Sequence, residues 1–361
     1  MQAIIEQFRR QILSAGAAGT PLRLRGGGSK DWYGQAPDGQ VLDTRPYAGI
    51  VDYEPTELVI TARCGTALAE IEAALAQREQ MLAFEPPHFG RGATVGGMLA
   101  CALSGPRRAS AGAVRDFVLG AGLMDGHGQV LRFGGQVMKN VAGYDVSRLL
   151  AGSLGTLGLI LEVSLKVLPL PPREISLRFA LDEIAALRLL NQWAGQPLPV
   201  SASCWHDGQL TVRLSGARAA VEAARRALGG EELADGASFW HAVREQRHAF
   251  FAGRYNGGES IWRLSVPSNA SAIILGGSQL IEWGGAQRWL RVDGAGQEEG
   301  AALAGTIRRG AAAAGGHATL FRGGDKRLGV FHPMAPALAA VQRRLQRGFD
   351  PAGIFNPGRM Y

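Results

Sequence analysis

Apolar residues recur at helical spacing from Ala3 to Ala15, after which the period shortens. PLRLR, VLDT, YAGIVDYEP and ELVITARCG each carry a few β-favouring residues between Gly, Pro and Asp turns, so they predict short strands. TALAEIEAALAQREQ returns to helical spacing and predicts a helix over 66–80, with Thr66 as its capping residue. MLAFEPP follows as a brief extended piece. Residues 88–112, HFGRGATVGGMLACALSGPRRASAG, place a helix of small residues between two glycine-rich turns. VRDFVLGAGLMDGHGQVLRF predicts two strands around Asp125-Gly126-His127-Gly128, and LILEVSLKVLPLPP a strand ended by prolines.

Pro169 to Arg173 marks the domain boundary. Beyond it, EISLRFALDEIAALRLLNQWA and QLTVRLSGARAAVEAARRALGG alternate strand and helix patterns. A tryptophan-bearing helix near SFWHAVREQRHAFF, strands at IWRLSVP and QRWLRVD, a helix over 298–314, a strand at HATLFRG and a helix over 335–347 complete a second α+β unit. No tandem repeat is visible; the two strand-helix segments amount to a split βαβ arrangement at most. The expected division is 1–172, 173–334 and a turn-rich C-terminal segment, 335–361.

Composition narrows the class. With 46% hydrophobic and 19% charged residues and 51 glycines, the chain has the make-up of a compact protein rich in tight turns. Lys and Arg exceed Asp and Glu by 38 − 31 = +7, which suits an anionic cofactor, substrate, partner or surface. The arginines are scattered without interleaved aromatics, so nucleic acid is not an expected partner. Cys64, Cys101 and Cys204 lack metal-site or disulfide spacing; no metal is expected, and a reducing, cytoplasmic compartment is. Glu6, Arg9 and Arg10 interrupt the first apolar stretch, unlike a secretory signal. Leu149 to Leu170 is broken by Glu162 and Lys166, so any membrane association is expected to be peripheral.

Candidate chemistry begins at RGGGSK, residues 25–30. A P-loop needs Gly-Lys-Ser/Thr opening a helix, but here serine precedes lysine and Asp31-Trp32-Tyr33-Gly34 starts a helix poorly. A dinucleotide fingerprint needs Gly-x-Gly-x-x-Gly on a strand-to-helix turn, and that spacing is absent. Two further glycine-rich segments, GATVGGMLACALSG at 92–105 and AGSLGTLGLI at 151–160, change the picture. Backbone amides from two loops can hold a pyrophosphate without a lysine clamp, assisted by the dipole of the small-residue helix. Three unrelated tight turns remain the alternative.

Four segments together, Arg25 to Ser29, Ala93-Thr94-Val95-Gly96-Gly97-Met98-Leu99-Ala100, Lys139-Asn140-Val141-Ala142-Gly143-Tyr144-Asp145 with GSLGTLG, and the terminal FNPGRM, closely resemble the vanillyl-alcohol-oxidase (PCMH) type of FAD-binding proteins. Within that family the chain is most similar to the E-type flavin subunits of glycolate oxidases. The resemblance implies an α+β fold: a two-subdomain FAD-binding domain followed by an α+β cap. It also implies oxidation of glycolate to glyoxylate in a complex with a catalytic, flavin-bearing D-type subunit and an iron–sulfur F-type subunit, through which electrons pass; membrane contact would come only peripherally, through the complex. Carried over by motif, Arg25, Gly26, Gly27, Gly28 and Ser29 would form the first pyrophosphate loop, and Gly92, Ala93, Thr94, Gly96, Gly97 and Ala100 the second. Ser104, Gly105, Ser110, Ala111 and Gly112 would continue along the flavin. Gly155, Gly158 and Ile160 would complete the nucleotide end, Asn356 would approach from the C-terminus, and Pro87 is a further contact. Lys30 has no role in this reading. Valine at Gly27 should then expel FAD.

Departures from the family pattern bear on catalysis. RGGGS holds no histidine or cysteine for covalent attachment, and the nearest candidates are His88 and Cys101, so the FAD is expected to be noncovalent. Leu154 replaces the glutamate of the D-type GSEGTLG, and His317 to Gly324 stands where those relatives carry Gly-Glu-His-Gly. A 2-hydroxy acid needs a cation for its carboxylate and a base for its hydroxyl proton. Lys139, Tyr144, Arg322 and Lys326 are candidates for the first, His317 and His332 for the second, with solvated or structural roles as the alternative for each. The tryptophans past residue 190 are expected in core or interface. A self-sufficient 2-hydroxy-acid dehydrogenase and a non-catalytic assembly subunit stay open beside the complex.

Overall fold

The structure, a computed structural model, describes residues 1–135, 145–253, 255, 258–293 and 297–360. The chain divides into two compact units. The first comprises Met1–Leu103, Gly112–Pro169 and Pro333–Tyr361; the second comprises Ser104–Ala111 and Leu170–His332. Both are of the α+β class. The chain passes from the first unit to the second at 169/170, and the excursion of 104–111 into the second unit has no signature in the pattern of residues.

In the first unit a five-stranded antiparallel sheet runs Ile50–Glu54, Val59–Arg63, Leu159–Lys166, Val118–Met124, Val130–Gly134. Its central strands are apolar on both faces, as expected of a sheet covered on each side. Leu22–Arg25 pairs in parallel with Gln40–Asp43, and Leu22 forms a further parallel bridge to Phe355. The second predicted helix is shorter than its periodicity implied, Leu68–Ala76, and Thr66 does not cap it. Instead Thr66 Oγ1 accepts from Gly49 N–H (2.9 Å) and donates to Gly49 C=O (3.1 Å), tying two loops together. Gln80 leaves the helix for a two-residue strand.

Asp350 anchors the C-terminal return. Its side chain is 1% exposed and accepts the Phe355 N–H at 2.8 Å. Burial pushes its carboxyl above the ordinary aspartate value, opposed by the N–H groups of Phe355, Ile354 and Gly353. The folded chain therefore holds this proton more tightly than the unfolded one, so the group's contribution to stability is fullest below the unfolded value and declines as pH rises through the folded one. Asp350→Asn keeps an acceptor and removes the charge. It should melt higher than the wild type at pH 7, with the gap closing as pH falls into the ordinary aspartate range; a gap independent of pH in thermal melts would remove the titration argument.

The second unit is built on one eight-stranded sheet, in the order Glu231–Glu232, Arg173–Ala180, Gln209–Gly216, Val200–His206, Ser278–Glu282, Gln287–Val292, Ser260–Ser265, His317–Gly323. Counted along the chain within each half, both halves have the order 4-1-3-2 from their outer edges inward, and they meet at their second strands. The repeat that the sequence does not show is thus present in topology. In the first half, helices Glu183–Ala194 and Arg218–Leu228 flank the sheet, with Leu190, Trp193, Val221 and Ala224 in one apolar cluster. Among the described residues the second half has Gln297–Ala313 but no counterpart of Glu183–Ala194. Buried Arg288 holds the connecting loop instead, donating to the carbonyls of Gly285 (3.1 Å), Ser271 (2.7 Å) and Ala270 (2.5 Å). Among the described residues no helix is long and apolar enough to cross a membrane, and no cluster of His, Cys, Asp and Glu has metal-holding geometry.

Candidate cofactor-binding site

The strand Leu22–Arg25 ends in the glycine run, and the run folds over its own arginine. Arg25 Nε donates to Asp31 Oδ2 at 2.9 Å, and Arg23 reaches the same oxygen at 2.5 Å. Gly28 turns the chain with φ +72°, directly above the Arg25 guanidinium. At Gly27 the neighbour is main chain: a Cβ there would stand 1.4 Å from the Gly92 carbonyl oxygen. The two glycine loops therefore touch backbone to backbone. Among the described residues, no group accepts from the N–H of Gly26, Gly27, Gly28 or Ser29. Four consecutive unused donors are what a polyanion requires of a loop.

These donors border a cleft also lined by Thr94, Gly97, Ala100, Leu154 and Asn356. A second cleft shares several of those residues and continues past Gly96, Gly155, Gly158 and Ile160. Thr94 caps the helix Val95–Cys101, its Oγ1 accepting the Gly97 N–H at 3.3 Å. That helix has only seven residues, so the loop amides carry more of the positive potential than its dipole does. Asn356 closes the floor: Oδ1 accepts the Leu24 N–H (2.9 Å) and Nδ2 donates to the Leu154 carbonyl (2.7 Å). One cleft end is phosphate-like in its needs, with amides and cations; the other, bounded by Leu24, Cys64, Leu159 and Ile160, suits a flat apolar ring. The residues present fit a dinucleotide such as FAD.

Lys30, given no role by the sequence reading, lines the first cleft. It is 8% exposed, its ammonium 3.4 Å from Ser29 Oγ, 3.3 Å from the His88 carbonyl and 5.5 Å from the Phe89 ring centroid. Arg359 was missed as well; it lines the same cleft and donates to the carbonyls of Asp31 (2.9 Å) and Gln35. Burial pulls the Arg359 pKa down, countered by Cys101 and Asp31. The adjacency of Lys30 to the glycine run was the signal available for it; FNPGRMY offered none for Arg359. Leu154 adopts φ +50°, and both clefts use it as a wall.

Other expected contacts lie elsewhere. Pro87 and Ala93 are buried outside both clefts, and Ala93 accepts the Leu68 N–H at 2.8 Å. Gly92 meets Gly27 rather than the cleft. Ser104, Gly105, Ser110 and Ala111 belong to the second unit, where Trp283 Nε1 donates to the Gly105 carbonyl (3.0 Å) and Ser110 Oγ to that of Ser201 (3.0 Å). Gly112 is back in the first unit. Lys139 and Tyr144 lie outside the described residues. His317 and Arg322 stand at opposite ends of one strand, five residues or about 16 Å apart. Burial, Arg263 and His332 lower the His317 pKa, while the Arg322 guanidinium lies 5.4 Å from the Tyr255 ring centroid. His332 Nδ1 accepts the Ala318 N–H at 3.4 Å, and Lys326 opens a short 3-10 turn. The structure does not gather the described candidates, His317, Arg322, Lys326 and His332, into one catalytic group.

Residues 5–134 match the FAD binding domain family. Over 360 residues the chain is 49% identical to glycolate oxidase subunit GlcE of Escherichia coli (strain K12), covering 100% of this chain and 97% of that one. This chain belongs to the GlcE family. It is an FAD-binding member of an oxidoreductase family, in line with the motifs in its first unit. Glycolate oxidase subunit GlcD of Bacillus subtilis (strain 168) is 30% identical over 168 residues, 46% of this chain and 36% of that one. Among solved structures, alkyldihydroxyacetonephosphate synthase matches with a TM-score of 0.67 over 98% of this chain and 74% of that chain; at 15% identity the likeness is one of fold.

Proposed function

We propose that this chain is the FAD-binding subunit of a glycolate oxidase complex that converts glycolate to glyoxylate, partnered by a catalytic D-type flavin subunit and an iron–sulfur F-type subunit. The row of unused amides at Gly26–Ser29 facing the cleft carries the reading on the structural side. The full-length likeness to a glycolate oxidase subunit supports the substrate and the assembly. Gly26 to Ser29, with Lys30 beside them, hold the pyrophosphate; Thr94, Gly97 and Ala100 form the opposite wall; Gly155, Gly158 and Ile160 take the nucleotide end. When bound, FAD accepts a pair of electrons and can release them singly. Attachment is noncovalent: burial raises the Cys101 pKa, keeping the thiol protonated and a poor nucleophile, and His88 Nε2 is 3.1 Å from Glu72. Any seat on a membrane is peripheral and comes through the partners.

The separation of His317 from Arg322 favours a division of labour in which the D-type subunit removes hydrogen from the substrate. The alternative of a self-sufficient dehydrogenase makes the opposite demand. Co-expression of the tagged chain with both partners, purification and a flavin spectrum with and without glycolate test the reading. Three co-purifying chains whose flavin bleaches with glycolate are expected, with the isolated chain inactive toward a dye. An isolated chain that binds no FAD, or one that oxidises glycolate unaided, would overturn it.

Gly97 separates cofactor cradle from plain turn. A Cβ there meets only Thr94 Oγ1, at 3.2 Å, and the helix tolerates a side chain. Gly97→Leu should leave far-ultraviolet circular dichroism unchanged and weaken FAD about a hundredfold by filling the cleft, as read by flavin fluorescence titration. Wild-type FAD affinity in this variant would remove the cleft from the cofactor site.

A further inference from the structure

The helix Pro336–Phe349 is amphipathic, yet none of its residues is buried. Its sequence, PALAAVQRRLQRGF, sets Leu338, Val341 and Leu345 at helical spacing, so they share one stripe. In the other long helices of the first unit such stripes face inward: Gln2–Ala18 buries Phe8 and Ile12, and Leu68–Ala76 buries Leu68, Ile71 and Leu75. Here the stripe is open, with Leu338 57% and Val341 51% exposed. A helix of this length is marginal by itself in water, and most helical stability comes from covering the apolar face. The last turn is fastened to the sheet, where the Phe349 carbonyl accepts the Gly126 N–H at 2.8 Å and the Phe349 ring lies 6.2 Å from that of Phe133. The earlier turns leave their apolar side chains uncovered.

The charge beside the stripe has one sign. Arg343, Arg344 and Arg347 are exposed, and the helix contains no Asp or Glu. Among the described residues none of the three makes an ion pair or a hydrogen bond. Other exposed arginines have found a carboxylate close by in the chain: Arg45 pairs with Asp43, Arg148 with Asp145 and Arg327 with Asp325. The helix dipole accounts for Arg347 in the last turn but not for Arg343 and Arg344. Arg344 follows Val341 by one turn and precedes Arg347 by another, so the apolar and basic stripes adjoin.

Uncovered apolar side chains bordered by unpaired arginines are complementary to an apolar notch rimmed by carboxylates. Arginine is the cation enriched at protein interfaces, where its planar fork matches a carboxylate and lysine is depleted; this helix has no lysine. A lipid surface asks for a broad face of bulky apolar residues with the cations on the opposite side. Leu338 and Val341 make a narrow face, and Arg344 adjoins it.

We propose that Pro336–Phe349 is the seat of a partner subunit, whose acidic surface meets Arg343, Arg344 and Arg347 while an apolar notch covers Leu338 and Val341. The inference rests on the reading of this chain as one subunit of an oxidase complex.

The test is co-expression of the tagged full chain with both proposed partners. The double variant Leu338→Ser, Val341→Ser should purify without partners, at wild-type FAD content and melting temperature. The triple variant Arg343→Gln, Arg344→Gln, Arg347→Gln should weaken the complex roughly tenfold at low ionic strength, measured by its dissociation on dilution, and flatten its dependence on salt. The triple variant decides the matter if the double one does not fold. Partners retained by both variants as by the wild type would overturn this inference alone. A wild-type chain that retains no partner would overturn the complex reading and this inference with it. Two further results would overturn it by giving the stripe another occupant. One is flotation of the isolated wild type, but not the double variant, with vesicles of equimolar phosphatidylglycerol and phosphatidylcholine. The other is a reversible dimer of the isolated chain that the double variant does not form.

Discussion

Gly27→Ala is expected to purify without flavin and to melt lower than the wild type even as apoprotein. The added methyl would stand 1.4 Å from the Gly92 carbonyl oxygen and 2.3 Å from its carbon, and main-chain atoms cannot rotate away. Separating the loops costs about 3 kcal/mol of stability by the usual scale of overpacking. It also dissolves the donor row, so FAD affinity should fall at least about a hundredfold. Gly92→Ala supplies the graded comparison, because its Cβ would meet Gly27 C=O at 3.0 Å, a contact that small shifts relieve. Flavin-to-protein absorbance ratios and melts with and without added FAD measure both. Retention of flavin at wild-type stoichiometry by Gly27→Ala would contradict the loop-on-loop contact. The clash is intramolecular, so this variant reports on the cradle's construction, whereas Gly97→Leu reports on its occupant.

Asn356→Ala should lower stability by about 3 kcal/mol, since it orphans two groups at once: the Leu24 N–H and the Leu154 carbonyl. Asparagine also tolerates the φ of +42° at this position better than alanine. For a protein of this size the midpoint should drop by roughly 4 °C. Asn356→Asp keeps the acceptor for Leu24 and loses the donor to Leu154, so its midpoint should fall between the two. Identical melting of all three proteins would show that the terminal segment does not staple the cleft. FAD content should follow the same ranking, because the bonds hold residues that line both clefts.

Local signals made most of the first unit legible. Strands such as Val59–Arg63 and Leu159–Lys166 are short apolar runs between turns, and the flavin loops are marked by glycines that few other structures need. What escaped was relational. Val200–His206, sequence VSASCWH, alternates apolar and polar residues over its first five positions yet is buried on both faces, and its small side chains give the alternation little hydrophobic weight. Thr66 looks like a cap because cap residues and loop-tying residues share the same hydroxyl. Lys30 looks dispensable because the sequence contains nothing that places its ammonium against Phe89 and His88. The duplicated strand order in the second unit is a property of pairing, and pairing leaves little trace when the two halves share no residues. The flavin cradle was legible as far as its loops are contiguous in sequence. Its floor, made by Asn356 and Leu154 across 202 positions, was legible only through resemblance to a family.

The division of the first unit into three stretches sets an order of events during synthesis. Residues 333–361 emerge after the whole of 170–332, yet Phe355 bridges Leu22 and Asn356 bonds Leu24 and Leu154. All five strands of the amino-terminal sheet emerge before residues 170–332, and only the segment that bonds Leu22, Leu24 and Leu154 follows them. The cofactor cleft therefore receives its floor, Asn356, only after the second unit has been synthesised.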